Sequence, residues 1–315
     1  DPMSQPELIG KPFAKPQTKC KCVRMVGIIL LAMARSCTSA SAEFSVYTWI
    51  SNWISENIDG NAVSGNVDAQ NMLINASEVT NNDIMLDVSE NAKSYIKGAI
   101  HIASKDLADN NNSTYIPPPE EIARIFGEAG ITRNDPVVVY GECKPCGGGP
   151  SAATYVYWML RYIGHDDVKV LNGGIDAWEK AGLPVQDAST TRLATNYMPV
   201  LRPELFATYD YVKSGSAQIV DARSVPEFES GSIPGALNIP YSEVLKGKSI
   251  KDRADLEEVF VNLTKEKPVV VFTMTGSKAS MVWFSLTMMG YEAKLYTWKD
   301  WIKNRNAITK KAQKT

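Results

Sequence analysis

The chain has 315 residues, of which 44% are hydrophobic, and its 33 basic and 35 acidic residues give a formal net charge of −2. Its length fits about two domains, and its apolar content excludes a disordered chain. The charge balance argues against a nucleic-acid partner, because residues 43–315 carry six more acidic than basic residues.

Residues 1–42 differ in composition from the rest. A basic stretch precedes an apolar run over 25–34, and Ala40-Ser41-Ala42 has the small residues of a cleavage site. This is the layout of a secretory signal, and the run is too short to span a bilayer. We therefore predict an exported protein, periplasmic or extracellular, with no transmembrane span. A lipid anchor at Cys37 is the alternative, disfavoured by Arg35 in the recognition stretch.

Residues 43–315 contain the same sequence pattern twice. Segment 84–87 returns as 218–221, 98–102 as 235–239, and 136–140 as 268–272. Short apolar strands alternate with helical stretches in each copy, which predicts an α/β fold with parallel sheets flanked by helices. We predict an export segment over 1–42, a first domain over 64–190 and a second domain over 195–305.

A Gly-rich stretch with two cysteines follows the predicted strand 136–140. It reads Cys143-Lys144-Pro145-Cys146-Gly147-Gly148-Gly149-Pro150-Ser151 and leads into a predicted helix over 152–163. A helix N-terminus and backbone N–H groups favour a thiolate, and glycines reach the backbone conformations that such a cradle needs. Ligands of parallel sheets bind at the carboxyl ends of strands, where this loop begins. The alternative is a flexible surface turn.

The corresponding stretch of the second copy, residues 273–279, contains no cysteine. The first copy also has six more residues between its strand and the end of the following helix. We therefore expect the chemistry in the first domain alone.

The ordered motifs resemble those of the tandem-domain rhodanese family of sulfurtransferases, over roughly residues 64–305. They include Leu86-Asp87-Val88 and Leu171-Asn172-Gly173-Gly174 in the first copy and Asp221-Ala222-Arg223 in the second. The active-site loop of that family begins with the catalytic cysteine, and the six residues from Cys146 to Ser151 are similar in length and pattern. Phosphatases on the same fold use a longer loop that closes with an arginine, which is lacking here.

The resemblance implies two rhodanese-like domains and a double displacement. Cys146 would take a sulfane sulfur from thiosulfate or 3-mercaptopyruvate as a persulfide and pass it to cyanide or a thiol acceptor. The persulfide would be stabilised by backbone N–H groups and one hydroxyl, those of Gly147, Gly148, Gly149 and Ser151. Lys93 and Lys144 would bind an anionic donor. No cofactor and no metal are expected, because the cysteines, His101 and His165 lack ligand spacing.

Three alternatives for Cys143 and Cys146 stay open. Cys143-Lys144-Pro145-Cys146 also fits an exported thiol–disulfide oxidoreductase. In a combined mechanism, Cys143 attacks the Cys146 persulfide, releases sulfide and leaves a disulfide that a reductant protein reopens. A non-catalytic sulfur carrier is the third. Arg161 is assigned to a helix surface, and Arg223 and Lys278 to support of the second domain's own loop.

Overall fold

The computed structural model describes residues 71–109, 114–145 and 147–312. The predicted export segment, Cys37 and Cys146 lie outside these ranges. None of the helices within the described ranges combines the length and the apolar composition that a bilayer span requires.

The first copy has seven described strands, and five of them form its main sheet. Its strands are β1 (Leu73–Ile74), β2 (Ile84–Asp87), β3 (Tyr95–Ile96), β4 (Ile100–His101), β5 (Val137–Tyr140), β6 (Val168–Leu171) and β7 (Val185–Gln186). Its helices are α1 (Pro119–Glu128), α2 (Ser151–Tyr162) and α3 (Gly174–Lys180), with 3-10 helices at Ala76–Glu78 and Ser104–Leu107. The main sheet has the order β1-β6-β5-β2-β4 with every pairing parallel, and β3 and β7 form a small antiparallel pair.

The second copy repeats this plan. Its strands are β8 (Gln218–Asp221), β9 (Leu237–Asn238), β10 (Leu245–Lys246), β11 (Ser249–Ile250), β12 (Val269–Thr273) and β13 (Ala293–Thr297). Its helices are α4 (Tyr209–Lys213), α5 (Val225–Glu229), α6 (Arg253–Val259), α7 (Ala279–Met288) and α8 (Trp298–Ala312), with 3-10 helices at Pro203–Leu205 and Tyr241–Val244.

The two sheets have the same strand order. The second runs β13-β12-β8-β9, all parallel, and a parallel bridge from Phe206 to Leu295 occupies the edge that β1 holds in the first. Every residue of β2, β5 and β12 is buried, as expected for parallel strands covered on both faces. The predicted class is confirmed: both copies are parallel α/β units.

Helices α2 and α7, which follow the equivalent strands β5 and β12, pack against each other across the two copies. The Tyr157 ring lies edge-on to Phe284 at 5.0 Å, and the hydroxyls of Thr154 and Ser280 are hydrogen-bonded at 2.8 Å. Residues 151–161 of α2 are all buried, so this helix has no solvent-facing side. One continuous apolar core therefore joins the two copies.

Candidate active site

The cysteine loop starts at a glycine that brings two strand ends together. Gly141 follows β5 with φ of 142°, and a Cβ there would lie 2.5 Å from the backbone nitrogen of Ser89, which follows β2. Only glycine permits so close an approach. Backbone hydrogen bonding between Glu90 and Glu142, with N···O of 3.4 Å, continues the contact. The loop is thus held against residues 88–90 from its first residue.

The three consecutive glycines adopt left-handed backbone conformations. Gly147, Gly148 and Gly149 have φ values of 112°, 69° and 53°. Their N–H groups are not used as expected, because Gly147 donates to the Lys144 carbonyl at 3.2 Å and Gly148 to the Cys143 carbonyl at 3.0 Å. These two donors are engaged within the loop rather than directed at a sulfur anion. The reason is that the loop closes into a turn around residues 144–147.

Ser151 also stabilises the loop. It is the first residue of α2, it is fully buried, and its hydroxyl donates to the Cys143 carbonyl at 3.5 Å. Its backbone N–H donates to the Gly148 carbonyl at 3.3 Å. In this structure Ser151 therefore fixes the start of the helix to the start of the loop.

Cys143 is almost completely buried, with 1% of its surface exposed. It is disulfide-bonded, and its partner lies outside the described residues. Its Sγ lies 3.3 Å from Oε2 of Glu90. Since a disulfide sulfur carries no proton, this is a packing contact here and becomes an S–H···O hydrogen bond only when Cys143 is reduced.

A cleft of about 480 Å³, the outer cleft, lies on one side of the loop. It brings together Lys93 and Lys144, which are both exposed, and its wall includes Gly149 and Pro150. The second copy contributes Lys248, from the turn between β10 and β11. The two lysines assigned to donor binding therefore face the same space beside the loop.

Lys248 links the walls of the outer cleft. Its Nζ lies 3.1 Å from Oε2 of Glu142 and 2.8 Å from Oδ2 of Asp176. Hydrogen bonds to Asp176 and Glu142 raise the pKa of Lys248. The lysine is half-exposed, so the two ion pairs contribute little to the stability of the fold. Their main effect is to hold the walls of the cleft together.

A second cleft of about 380 Å³, the interdomain cleft, is also lined by residues of the loop. The first copy lines it with Glu90, Lys105 and Cys143, and the second copy with Arg223 and Lys278. The sequence predicts that both of these basic residues support the second domain's own loop. In the structure both also line this cleft together with Cys143.

Arg223 nevertheless supports its own domain. Its guanidinium is buried, donates to both carboxylate oxygens of Asp221 and lies 4.4 Å from the Trp298 ring centroid. The equivalent Asp87 is also buried but is bonded by Ser89 at 2.8 Å and His101 at 2.6 Å. Burial raises the pKa of Asp87, and these hydrogen bonds oppose the rise only in part.

The other histidine and Arg161 have structural partners at the far end of α2. The assignment of Arg161 to a helix surface is wrong, because the residue is buried and donates to the carbonyls of His165 and Asp166. His165 is fully buried, with ring nitrogens 3.1 Å from the Tyr197 hydroxyl and 2.7 Å from the Asp135 carbonyl. Burial lowers the pKa of His165.

Two parallel α/β copies share a core, and a Gly-rich cysteine loop lies between β5 and α2 of the first, which defines a tandem-domain protein with the described cysteine in one copy. The rhodanese-like domain family matches residues 68–181 and again residues 207–303. The chain belongs to the rhodanese family, as its motifs indicated.

Characterised proteins are similar over most of the chain. The 3-mercaptopyruvate sulfurtransferase of Escherichia coli is 26% identical over 279 residues, covering 81% of this chain and 95% of its own. A thiosulfate sulfurtransferase of Corynebacterium glutamicum is 29% identical, with coverages of 66% and 76%. The sulfur carrier protein TtuD of Thermus thermophilus is 28% identical, with coverages of 69% and 87%.

Solved structures share the fold. The crystal structure of the E. coli 3-mercaptopyruvate sulfurtransferase SseA superposes with a TM-score of 0.64 at 23% identity, over 72% of this chain and 99% of that one. The anaerobic ergothioneine biosynthesis enzyme of Chlorobium limicola gives 0.66 at 22% identity, over 75% and 69%.

Proposed function

We propose that the protein is a sulfurtransferase that carries sulfane sulfur as a persulfide on Cys146. One observation carries the proposal: a cysteine loop with three left-handed glycines lies between β5 and α2 of a rhodanese domain. The reaction class agrees with the sulfurtransferases among its relatives. Neither the oxidoreductase nor the carrier alternative is needed to account for the chain.

The donor is thiosulfate or 3-mercaptopyruvate. With thiosulfate, the Cys146 thiolate attacks the outer sulfur, an S–S bond forms, and sulfite leaves with the bonding pair. With 3-mercaptopyruvate, the C–S bond breaks, and the proton of the substrate thiol ends on the carbon of the released pyruvate. Cyanide or a thiol then attacks the outer sulfur of the persulfide and restores the thiolate.

The outer cleft is the proposed donor site. Both donors are anions, and Lys93 and Lys144 supply positive charge beside the loop. When the disulfide is reduced, the turn around residues 144–147 is free to reorganise. Gly147, Gly148 and Gly149 then direct N–H groups at the persulfide, while Ser151 anchors the helix start.

Cys143 is the proposed resolving residue. Its disulfide is the state expected after it displaces sulfide from a Cys146 persulfide, and a protein dithiol reductant would reopen it. Cys146 is the proposed partner, because residues 43–315, which the proposed export would leave, contain no other cysteine.

We further propose export through the signal-like residues 1–42 and domains over 64–190 and 195–305. Sequencing the N-terminus of the secreted or periplasmic protein tests the first. Limited proteolysis, with cleavage expected between residues 190 and 195, tests the second.

The test of sulfur transfer uses the reduced protein and its Cys146→Ser and Cys143→Ser variants. Each is incubated with thiosulfate or 3-mercaptopyruvate, its mass is measured, and thiocyanate is followed with cyanide as acceptor. We expect a gain of one sulfur atom and turnover in the wild type and in Cys143→Ser, and a loss of at least about a thousandfold in Cys146→Ser. Dithiol-dependent disulfide exchange without any sulfur adduct would favour the oxidoreductase instead.

A further inference from the structure

Glu90 places a carboxylate against the Cys143 sulfur. The distance from Oε2 to Sγ is 3.3 Å, and Cys143 is almost completely buried. Glu90 lines the outer cleft and the interdomain cleft, so it stands between the proposed donor site and the second copy. Neither its position nor its contact follows from the motifs of the loop.

The other charged and titratable groups of the interdomain cleft have their own partners or are exposed. Arg223 is paired with Asp221, and the Glu227 carboxylate accepts from the Ser224 N–H and hydroxyl at 3.2 and 2.7 Å. The remaining titratable groups that line the cleft are Lys105, which is exposed, Lys278, with its amine over the Tyr241 ring at 5.1 Å, and the phenols of Tyr115 and Tyr155. Lys299 does not line the cleft, but its amine lies over the ring of Tyr115, which does. Among the charged groups that line this cleft, Glu90 is the one found in contact with the Cys143 sulfur.

A carboxylate in contact with a thiol disfavours the thiolate, since two negative charges would meet in a buried place. It also accepts the S–H hydrogen bond, which exists only in the protonated form. Burial acts in the same direction. Reduced Cys143 is therefore held as a thiol, which is a poor nucleophile.

The geometry points to Glu90 as a positioning residue that keeps Cys143 protonated and so reserves the Cys146 persulfide for an external acceptor. This inference rests on the proposed function. Glu90 acts through Cys143. It sets the fraction of the persulfide that passes its sulfur to an acceptor and the fraction that Cys143 converts to a disulfide.

The branch that Glu90 restrains is a two-electron exchange. The Cys143 thiolate attacks Sγ of the protonated Cys146 persulfide, and an Sγ–Sγ bond forms. The bond from Cys146 Sγ to the outer sulfur breaks, and that sulfur leaves with the electron pair as HS⁻. The cysteine pair is oxidised, the sulfane sulfur is reduced to sulfide, and a dithiol reductant returns the pair to thiols.

The experiment compares sulfide release in the wild type and Glu90→Gln, which keeps the side-chain size and removes the charge. Each protein is reduced, loaded with thiosulfate or 3-mercaptopyruvate, checked for one added sulfur atom and freed of donor. Sulfide and disulfide are then followed without acceptor over a range of pH. We expect roughly tenfold faster release in Glu90→Gln near neutral pH, with the pH profile displaced by about one unit to lower pH.

Three further variants isolate the effect. Glu227→Gln makes the same charge change in the same cleft away from the sulfur, and we expect wild-type release. Cys143→Ser combined with Glu90→Gln should abolish the release. Glu90→Asp keeps the charge and should give slow release. Glu90→Ala also removes the charge and substitutes as the test if Glu90→Gln does not fold.

Unchanged or slower release in folded, loaded Glu90→Gln overturns the inference, and slower release would make Glu90 a base that activates Cys143. Slow release in Glu90→Asp together with fast release in the uncharged variant supports it, and fast release in both contradicts a role of the charge. Failure of the wild type to gain sulfur from either donor contradicts the proposed function instead.

Discussion

The connection from β5 to α2 and the connection from β12 to α7 occupy the same place in the two copies but have different contents. Tyr140 pairs with Asp87 in the first sheet, and the equivalent Phe272 pairs with Asp221 in the second. Ten residues separate Tyr140 from the first residue of α2, and six separate Phe272 from the first residue of α7. The helices that follow have 12 and 10 residues. The extra length in the first copy thus accommodates two cysteines and three glycines, and also lengthens the helix.

The shorter connection provides hydrogen-bond acceptors for backbone N–H groups at the start of α7. Thr273 stands at the end of β12, and its hydroxyl accepts the Ala279 N–H at 3.3 Å. Ser280 N–H donates to the Gly276 carbonyl at 2.9 Å. In the first copy, loop N–H groups instead close a turn next to a disulfide. The same helix start is thus closed by its own short connection in the second copy, and by contacts of Ser151 with the cysteine loop in the first.

The largest difference between the copies is expected at their buried aspartates. Asp221→Asn removes the partner of buried Arg223, which cannot lose its proton, and should cost about 3–5 kcal/mol of unfolding free energy. Asp87→Asn should cost about 1 kcal/mol, because Asp87 is hydrogen-bonded by Ser89 and His101 rather than by a buried guanidinium, and burial already raises its pKa. Urea unfolding measures both values. Equal losses of unfolding free energy would show that the two aspartates contribute equally to stability.

An intermediate effect is expected at glycines of the two connections. A Cβ on Gly147 would lie 2.9 Å from the Tyr241 ring, whereas the nearest atom to one on Gly276 would be in the Leu295 side chain at 3.3 Å. Both have positive φ, so alanine costs about 1–2 kcal/mol at either site. We expect Gly147→Ala also to lower thiocyanate turnover about tenfold and Gly276→Ala to leave it unchanged.

Measuring stability and turnover on the same preparations separates the two effects. A matched loss of turnover in Gly276→Ala would mean that the second connection contributes directly to the chemistry.

The smallest effect concerns His165 and its counterpart in the second copy, Tyr291. Burial lowers the pKa of His165, so its contribution to stability is complete above the unfolded value of about 6.5 and is lost as pH falls through the folded value. The wild type should lose about 1 kcal/mol through this residue between about pH 7.5 and pH 5.5. His165→Gln should remove that part of the slope.

Tyr291→Phe is the control. The pKa of Tyr291 is raised from a value near 10, so its titration lies far above this range. Unfolding midpoints at both pH values check the comparison, and an unchanged slope in His165→Gln would assign the acid sensitivity to other groups.

The sequence predicted the architecture well because parallel strands buried on both faces are continuous apolar runs. The predicted strand 136–140 differs from β5 by one residue, and the predicted helix 152–163 is displaced from α2 by one residue. The repeat followed from spacing alone. The placement of Lys93 and Lys144 beside the loop also agrees with the structure, although their roles stay predictions.

The contacts around Cys143 were not predicted, because they depend on how distant segments meet. Glu90 reaches the sulfur through the pairing of β2 with β5 and the close approach at Gly141. Lys248 reaches the loop from a hairpin of the other copy. One signal was present: Glu90 follows the carboxyl end of β2, the neighbour of the strand that leads to the cysteines.

The shared core of α2 and α7 affects how the protein is made. A ribosome completes α2 more than a hundred residues before it completes α7. At about 5–20 residues per second, the first domain waits on the order of ten seconds with an uncovered apolar helix. The nascent chain therefore presents a binding site for chaperones during this interval, and a product truncated before α7 would keep presenting it.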